Sequence, residues 1–210
     1  AYALEVGPGE ELVKIPDITA PGTWDTIAST PGTDYFAGDF VGSDYGKLYV
    51  LDTTSNELHT LDTNTGDDTT VGPSIPLSGH FWTGATGTSS GTLFAASTNV
   101  GVSHLYQINT TTGLATTVGE ITNAPCIIDI AINATGEMYG FDVCIHVLVQ
   151  IDPITGAGTV IGSIGFDADY PQGMDFEDRS GTLYLAAYNA TAKSGELRIA
   201  DTATGNSVLV

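Results

Sequence analysis

The carboxylates and aromatics of this sequence carry most of its chemical potential, and several recur at intervals. Asp39, Asp129 and Asp175 stand close to multiples of one step, with Gly84 in the remaining place and Asp175 one residue out of register. Carboxylates converging on one axis could hold Ca²⁺, a hard cation that prefers oxygen ligands. A repeated Asp more often accepts backbone hydrogen bonds and locks one structural unit to the next. Two of the three could also act as an acid and base pair, although nothing in the sequence fixes their separation.

A second set lies in the segments that connect the repeated units. Tyr35, His80, Trp82, Asp167, Asp169, Tyr170 and Tyr188 mix rings with carboxylates, a combination that can stack on sugars while accepting hydroxyl hydrogen bonds. The packing alternative is that Phe36, Phe81 and Trp82 open strands and bury between units. His59, His80, His104 and His146 share no repeat position and have no metal-ligand spacing, so each reads as an isolated residue. There is no phosphate loop or EF-hand pattern.

The elements that must position these residues come from a repeat. Gly46-Lys47-Leu48-Tyr49, Gly91-Thr92-Leu93-Phe94, Gly136-Glu137-Met138-Tyr139 and Gly181-Thr182-Leu183-Tyr184 follow one another at 45 residues. A unit of this length, rich in β-branched residues and punctuated by Gly, suits a four-stranded antiparallel sheet. Strand b opens with the Leu-Tyr pair. Strand c closes on an apolar-Asx pair followed by Thr and Gly, as in Leu61-Asp62 to Gly66 and Ile151-Asp152 to Gly156, where the Asx turn and a positive-φ Gly make a hairpin tip. The expected architecture is an all-β propeller of five such blades in one domain spanning 1–210, with approximate bounds 1–30, 35–73, 80–121, 126–165 and 171–210. The first blade lacks its innermost strand, since Tyr2 aligns with Tyr49 and no residue matches Gly38 to Val41.

The Leu-Tyr, Ile-Asp-x-x-Thr-Gly, Thr-x-Val-Gly cycle resembles the secreted bacterial and archaeal β-propeller repeat proteins, a group similar to the quinoprotein-like, YVTN-like and NHL-type propellers. The resemblance covers nearly the whole chain and implies architecture far more than activity. That group includes surface-layer components, adhesive modules, lyases and lactonases.

Cys126 and Cys144 are centred on Thr135, at an Asn-Ala-Thr-Gly tip, so an antiparallel hairpin about that tip places them opposite one another. A disulfide is the expected outcome, worth on the order of 3 kcal/mol in an oxidising compartment. Asn109, Asn133 and Asn189 each begin an Asn-x-Thr sequon in a predicted loop and are candidate glycosylation sites. Asn109 and Asn133 fall at one end of the propeller and Asn189 at the other.

Acids number 25 against 5 Lys and Arg, for a formal charge of −20. Such a surface repels nucleic acid and anionic membranes and leaves cations, neutral glycans and other proteins as partners. No apolar run is long enough to span a bilayer. The chain opens on Ala without a basic, apolar leader and is expected to be a mature secreted or cell-surface product. The resulting expectation is an extracellular structural or binding module of an assembly, with other subunits, including its own copies, as partners and no obligatory cofactor. The innermost strand of the first blade would be supplied by a neighbouring subunit, as in a filament, or by residues outside this sequence. A Ca²⁺-dependent propeller enzyme of lactonase or lyase type and a glycan-binding module are the competing expectations.

Overall fold

The computed structural model describes residues 1–4, 11–20, 22–30, 33–169 and 172–210, and among them there is no helix. Nineteen strands form five antiparallel sheets. The first holds β1 (Tyr2–Leu4), β2 (Glu11–Lys14) and β3 (Asp25–Ser29). The second runs β4 (Tyr35–Phe40), β5 (Lys47–Asp52), β6 (Glu57–Asp62) and β7 (Asp68–Pro73). The third runs β8 (Phe81–Gly87), β9 (Leu93–Thr98), β10 (Ser103–Ile108) and β11 (Ala115–Ile121). The fourth is β12 (Ile127–Ile132), β13 (Met138–Asp142), β14 (Val147–Ile151) and β15 (Gly158–Ser163). The fifth is β16 (Gly173–Glu177), β17 (Thr182–Asn189), β18 (Ser194–Ala200) and β19 (Ser207–Leu209). In each sheet the strands pair in chain order, and β4, β8, β12 and β16 lie side by side as the inner wall of a propeller.

Local chemistry explains the hairpins. At the tips between the third and fourth strands, Asp62, Asn109, Asp152 and Asp201 each accept backbone N–H groups two and three residues on, or close the same turn through the backbone. Those bonds hold the carboxyls of Asp62, Asp152 and Asp201 below the usual range. Gly66, Gly113, Gly156 and Gly205 then supply the positive φ. Inner and middle strands bury both faces, with Val50, Leu51, Leu93, Ala95 and Ala96 almost wholly enclosed, whereas the outer strands present Thr to water.

Blades meet through apolar clusters. Leu12 with Tyr35, Leu48, Val50 and Leu61 joins the first blade to the second. Trp82, Tyr106 and Leu93 with Leu51 and Leu58 join the second to the third. Ile121, Leu105, Ile127 and Ile130 join the third to the fourth, and Phe141, Leu148, Leu183 and Leu185 the fourth to the fifth. Among the described residues no such cluster joins the fifth blade to the first.

A second contact repeats at the rim. The tip glycines Gly113, Gly156 and Gly205 each lie against an outer-strand glycine of the preceding blade, Gly72, Gly119 and Gly162 respectively. A Cβ on any of the three would meet backbone atoms at 2.4 to 2.9 Å. Gly66 meets Ala28 in the same way at the first interface, where its Cβ would stand 2.1 Å from that of Ala28. The Val-Gly of the repeat is therefore the seat for the next blade's Thr-Gly tip.

Candidate functional site

The axial acids belong to the innermost strands, and strand pairing redefines which of them are equivalent. Aligned on their partners Tyr49, Phe94, Tyr139 and Tyr184, the residues of one level are Asp39, Thr86, Ala131 and Asp175. Two residues earlier on the same strands lies a second level, Ala37, Gly84, Asp129 and Gly173. Asp39 and Asp175 thus match each other, while Asp129 matches Gly84. The 45-residue step groups them differently because the connecting tips differ in length: seven residues separate Phe40 from Leu48, but five separate Gly87 from Leu93.

The three acids share one pattern at Oδ1, and two of them share one at Oδ2. Oδ1 of Asp39, Asp129 and Asp175 accepts the N–H of the following residue, at 2.7, 2.8 and 2.7 Å. Oδ2 of Asp39 accepts the N–H of Gly87 in the next blade at 2.7 Å, and Oδ2 of Asp129 accepts that of Met174 in the next blade at 2.7 Å. Thr86 fills the same role with its hydroxyl, accepting Ile132 N–H at 3.0 Å. The two Oδ2 bonds and the Thr86 bond each cross from one blade to its successor. Glycine makes the approach feasible: a Cβ at Gly87 would lie 1.8 Å from the Phe40 carbonyl, and one at Gly84 would lie 2.6 Å from Asp129.

Burial raises these carboxyls, against the opposing pull of the N–H donors. Asp39 is pushed up to about 6, chiefly by desolvation. Asp129 and Asp175 are raised well above the usual carboxylate range, again by burial first, with neighbouring axial acids adding repulsion. Asp175 is exposed to solvent although protein crowds its flanks. Its Oδ2 accepts no hydrogen bond among the described residues.

The aromatic and acidic candidates divide by burial. Tyr35 is buried at the first interface, where its hydroxyl donates to Asp68 Oδ2 at 2.5 Å, and burial together with that acid pushes its pKa well above the usual phenol range. His59 is not isolated: its Nδ1 lies 2.9 Å from Asp68 and 3.4 Å from the Tyr35 hydroxyl. Trp82 is fully buried and donates from Nε1 to Ser74 O. His80 Nδ1 lies 3.2 Å from Ser97 Oγ, but that serine is fully buried and bonds Tyr106, so the pair anchors a loop. Asp167 Oδ1 lies 3.2 Å from His146 Nε2, while His146 Nδ1 accepts the N–H of Ala168. Asp169 and Tyr188 bond through their backbones, and Gln172 bonds to both residues. Tyr170 lies outside the described residues.

At this same end several solvent-facing residues are apolar, and sequence reasoning missed them. Ile75 and Leu77 in the connection from β7 to β8, Phe81 at the start of β8, Val100 in the turn after β9 and Ile145 in the turn after β13 are 42 to 67% exposed. Val100 also holds a positive φ of 67°, a strained conformation for a β-branched residue. The signal available was the run Ser74 to His80, a polar-poor loop between two strands.

Cys126 and Cys144 are joined, with Cα atoms 5.6 Å apart. Their register differs by one from the expected facing pair, because a bulge at Ile128 shifts the ladder so that Cys126 O accepts the N–H of Val143. Buried Asp142 accepts the N–H groups of both cysteines. Among the described residues, these three form the one cluster of acid, thiol or imidazole ligating atoms within 4.8 Å. With the sulfurs bonded to each other and the carboxylate occupied by N–H donors, the cluster does not fit a metal ion. The sequon residues lie at tips: Asn109 exposed, Asn133 half-buried with Nδ2 donating to Glu137, Asn189 half-buried with Nδ2 donating to Glu196.

No protein-family model matches the chain, and no curated protein matches it either. Experimental structures do resemble it in fold. A calcium-binding regucalcin from Agrobacterium tumefaciens shares 19% identity at a TM-score of 0.60, over 95% of this chain and 66% of that one. A catalytically inactive virginiamycin B lyase from Staphylococcus aureus with quinupristin shares 14% identity at 0.58, over 100% of this chain and 69% of that one. A chain of the nidogen/laminin complex shares 12% at 0.61, over 99% and 90%. At such identities the likeness establishes the propeller fold alone, and the chain spans about two thirds of the length of the first two.

Proposed function

We propose that this chain is a structural or binding module of an extracellular or cell-surface assembly, with protein as its partner. The observation that carries this reading is the exposed apolar set Ile75, Leu77, Phe81, Val100 and Ile145, gathered at one end of a propeller whose formal charge is −20. Strongly charged chains gain nothing in solubility from such residues, and apolar groups rimmed by polar ones mark interaction surfaces. The strain at Val100 supports the same reading, since left-handed β-branched residues concentrate at functional loops. A second apolar strip supports contact between subunits: Val208 and Leu209 of β19 are exposed where β7 and β11 carry Thr69, Thr70, Thr116 and Thr117.

The bonded cysteines and the absence of a long apolar helix among the described residues are compatible with an extracellular site of action. The nidogen/laminin structure is a propeller in a protein–protein complex, which makes protein partners plausible by analogy of fold. The hydrogen bonds of Asp39 and Asp129 favour blade clasping over cation binding for the axial acids. Sedimentation of the purified chain across a range of concentrations tests the proposal. Concentration-dependent association that is lost in a Leu77→Ser, Phe81→Ser double variant is the expected result, and a monomer at every concentration that also captures no extracellular protein would overturn it.

A further inference from the structure

His80 and His104, separated in sequence by the whole β8–β9 hairpin, meet at the apolar end of the propeller. Their ring centroids lie 5.1 Å apart, with the planes inclined at 72°. His80 ends the connection from β7 to β8. Its N–H donates to Leu77 O, and the Leu77 N–H donates to the Tyr106 hydroxyl, so the loop is tied down beside β10. His104 belongs to β10 and stands between Ser97 on β9 and Glu120 on β11 in the ladder.

The hydrogen bonds around His80 assign its tautomer. Ser97 Oγ donates to the Tyr106 hydroxyl at 3.0 Å, which leaves its lone pairs to accept from His80 Nδ1 at 3.2 Å. The neutral ring therefore carries its proton on Nδ1 and presents a lone pair on Nε2. A metal-ligating imidazole is arranged in this way, with its other nitrogen donating to a fixed oxygen. His104 supplies an independent observation: among the described residues its Nδ1 is buried with no hydrogen-bond partner. A buried polar atom left unpaired costs about 1–3 kcal/mol, and a bound ion would remove that cost. Burial first, and then His80, hold the His104 imidazole below its usual range against the opposing pull of Glu120, so the ring is neutral at about pH 7 and able to ligate.

The separation of the rings fits a shared ion. In a tetrahedral site with bonds of about 2.0–2.1 Å, two imidazole centroids stand about 5 Å apart. Edge-to-face packing of two rings gives a similar distance, but it leaves His104 Nδ1 unpaired, whereas ligation pairs it. Glu120 is exposed and is the cross-strand neighbour of His104. Among the described residues these side chains do not already gather three ligating atoms within 4.8 Å, so Glu120 would turn inward or water would take the third position.

We propose that His80 and His104 form a binding site for a divalent late transition-metal ion of the Zn²⁺ class, ligated by Nε2 of His80 and Nδ1 of His104 and completed by Glu120 or water. Imidazole nitrogen selects such ions over Ca²⁺ and Mg²⁺, which take oxygen ligands. The site stands apart from the assembly reading, because all its protein ligands belong to one chain. Bound there, the ion would join the loop that carries Ile75 and Leu77 to β10.

Zn²⁺ is titrated into the purified protein in a buffer with excess Mg²⁺, which occupies the carboxylates of this acidic surface. One saturable site per chain is expected. His80→Ala and His104→Ala should each weaken it about tenfold or more. His146→Ala removes a ring already engaged by Asp167 and Ala168 and should leave the affinity unchanged. Imidazole NMR signals of the unaltered protein give a readout that a misfolded variant cannot mimic: those of His80 and His104 should shift as Zn²⁺ is added, while those of His59 and His146 stay. No saturable binding above the Mg²⁺ background, an unchanged affinity in His80→Ala, or shifts at His59 or His146 in place of His80 and His104 would overturn the proposal.

Discussion

Oδ2 of Asp129 accepts the backbone N–H of Met174 at 2.7 Å, so a side chain of the fourth blade closes a main-chain group of the fifth. Gly84 and Gly173 flank that carboxylate, and a Cβ on Gly84 would stand 2.6 Å from its Oδ1. One acid therefore sets the spacing of three successive inner strands. Asp129→Ala should destabilise the fold by about 1–3 kcal/mol, because two N–H groups lose a charged acceptor. Asp201→Ala, at an exposed tip, should cost less, and denaturant unfolding of both variants checks the difference.

The raised carboxyl of Asp39 has a definite sign in pH. Its folded value of about 6 exceeds the unfolded carboxylate value of about 3.9, so the folded state holds the proton through that window. The stabilisation is fully present below the lower value and is lost as pH rises through about 6. Melting temperature should thus fall between about pH 4 and about pH 6, and Asp39→Asn should flatten the slope relative to the parent. A parent chain that gains stability across that window would contradict the assignment.

The rim contact distinguishes two kinds of positive-φ glycine. Gly113 at φ 79° faces the Gly72 carbonyl at 2.4 Å from a built Cβ, whereas Gly136 at φ 87° has open space around it. Gly136→Ala should cost about 1–2 kcal/mol, for the left-handed conformation alone. Gly113→Ala adds a backbone clash between blades and should cost clearly more, which paired thermal melts would reveal.

The cysteine pair closes a hairpin at the fourth blade. Intact mass with and without reductant should differ by two hydrogens, and replacing both cysteines by Ser should lower stability by roughly 3 kcal/mol. Two alkylatable thiols in the unreduced, unfolded chain would contradict the bond.

Among the three sequons, Asn109 is the exposed one, while Asn133 and Asn189 spend their amide nitrogens on Glu137 and Glu196. If the chain passes through a glycosylating pathway, occupancy should be highest at Asn109. Glycopeptide mapping after expression in a eukaryotic secretory host gives the order.

The repeat determined the blades by itself, because its signals are local. Thr-Gly tips need an Asx turn and a positive φ, Leu-Tyr pairs start a strand buried on both sides, and neither depends on distant residues. Cys126 and Cys144 were legible as neighbours for the same reason, within one residue of register. Tertiary structure decided what the repeated residues do. Tip lengths slide the innermost strands along the axis, so Asp39 pairs in level with Asp175, and Asp129 falls beside Gly84. Burial was likewise decided by neighbouring blades: Tyr35 and Trp82 pack inward, while Phe81, one residue away, faces solvent. A 45-residue period records the chemistry of each sheet, but the approach of one blade to the next is set by non-local contacts, and there the clasps and the apolar end arise.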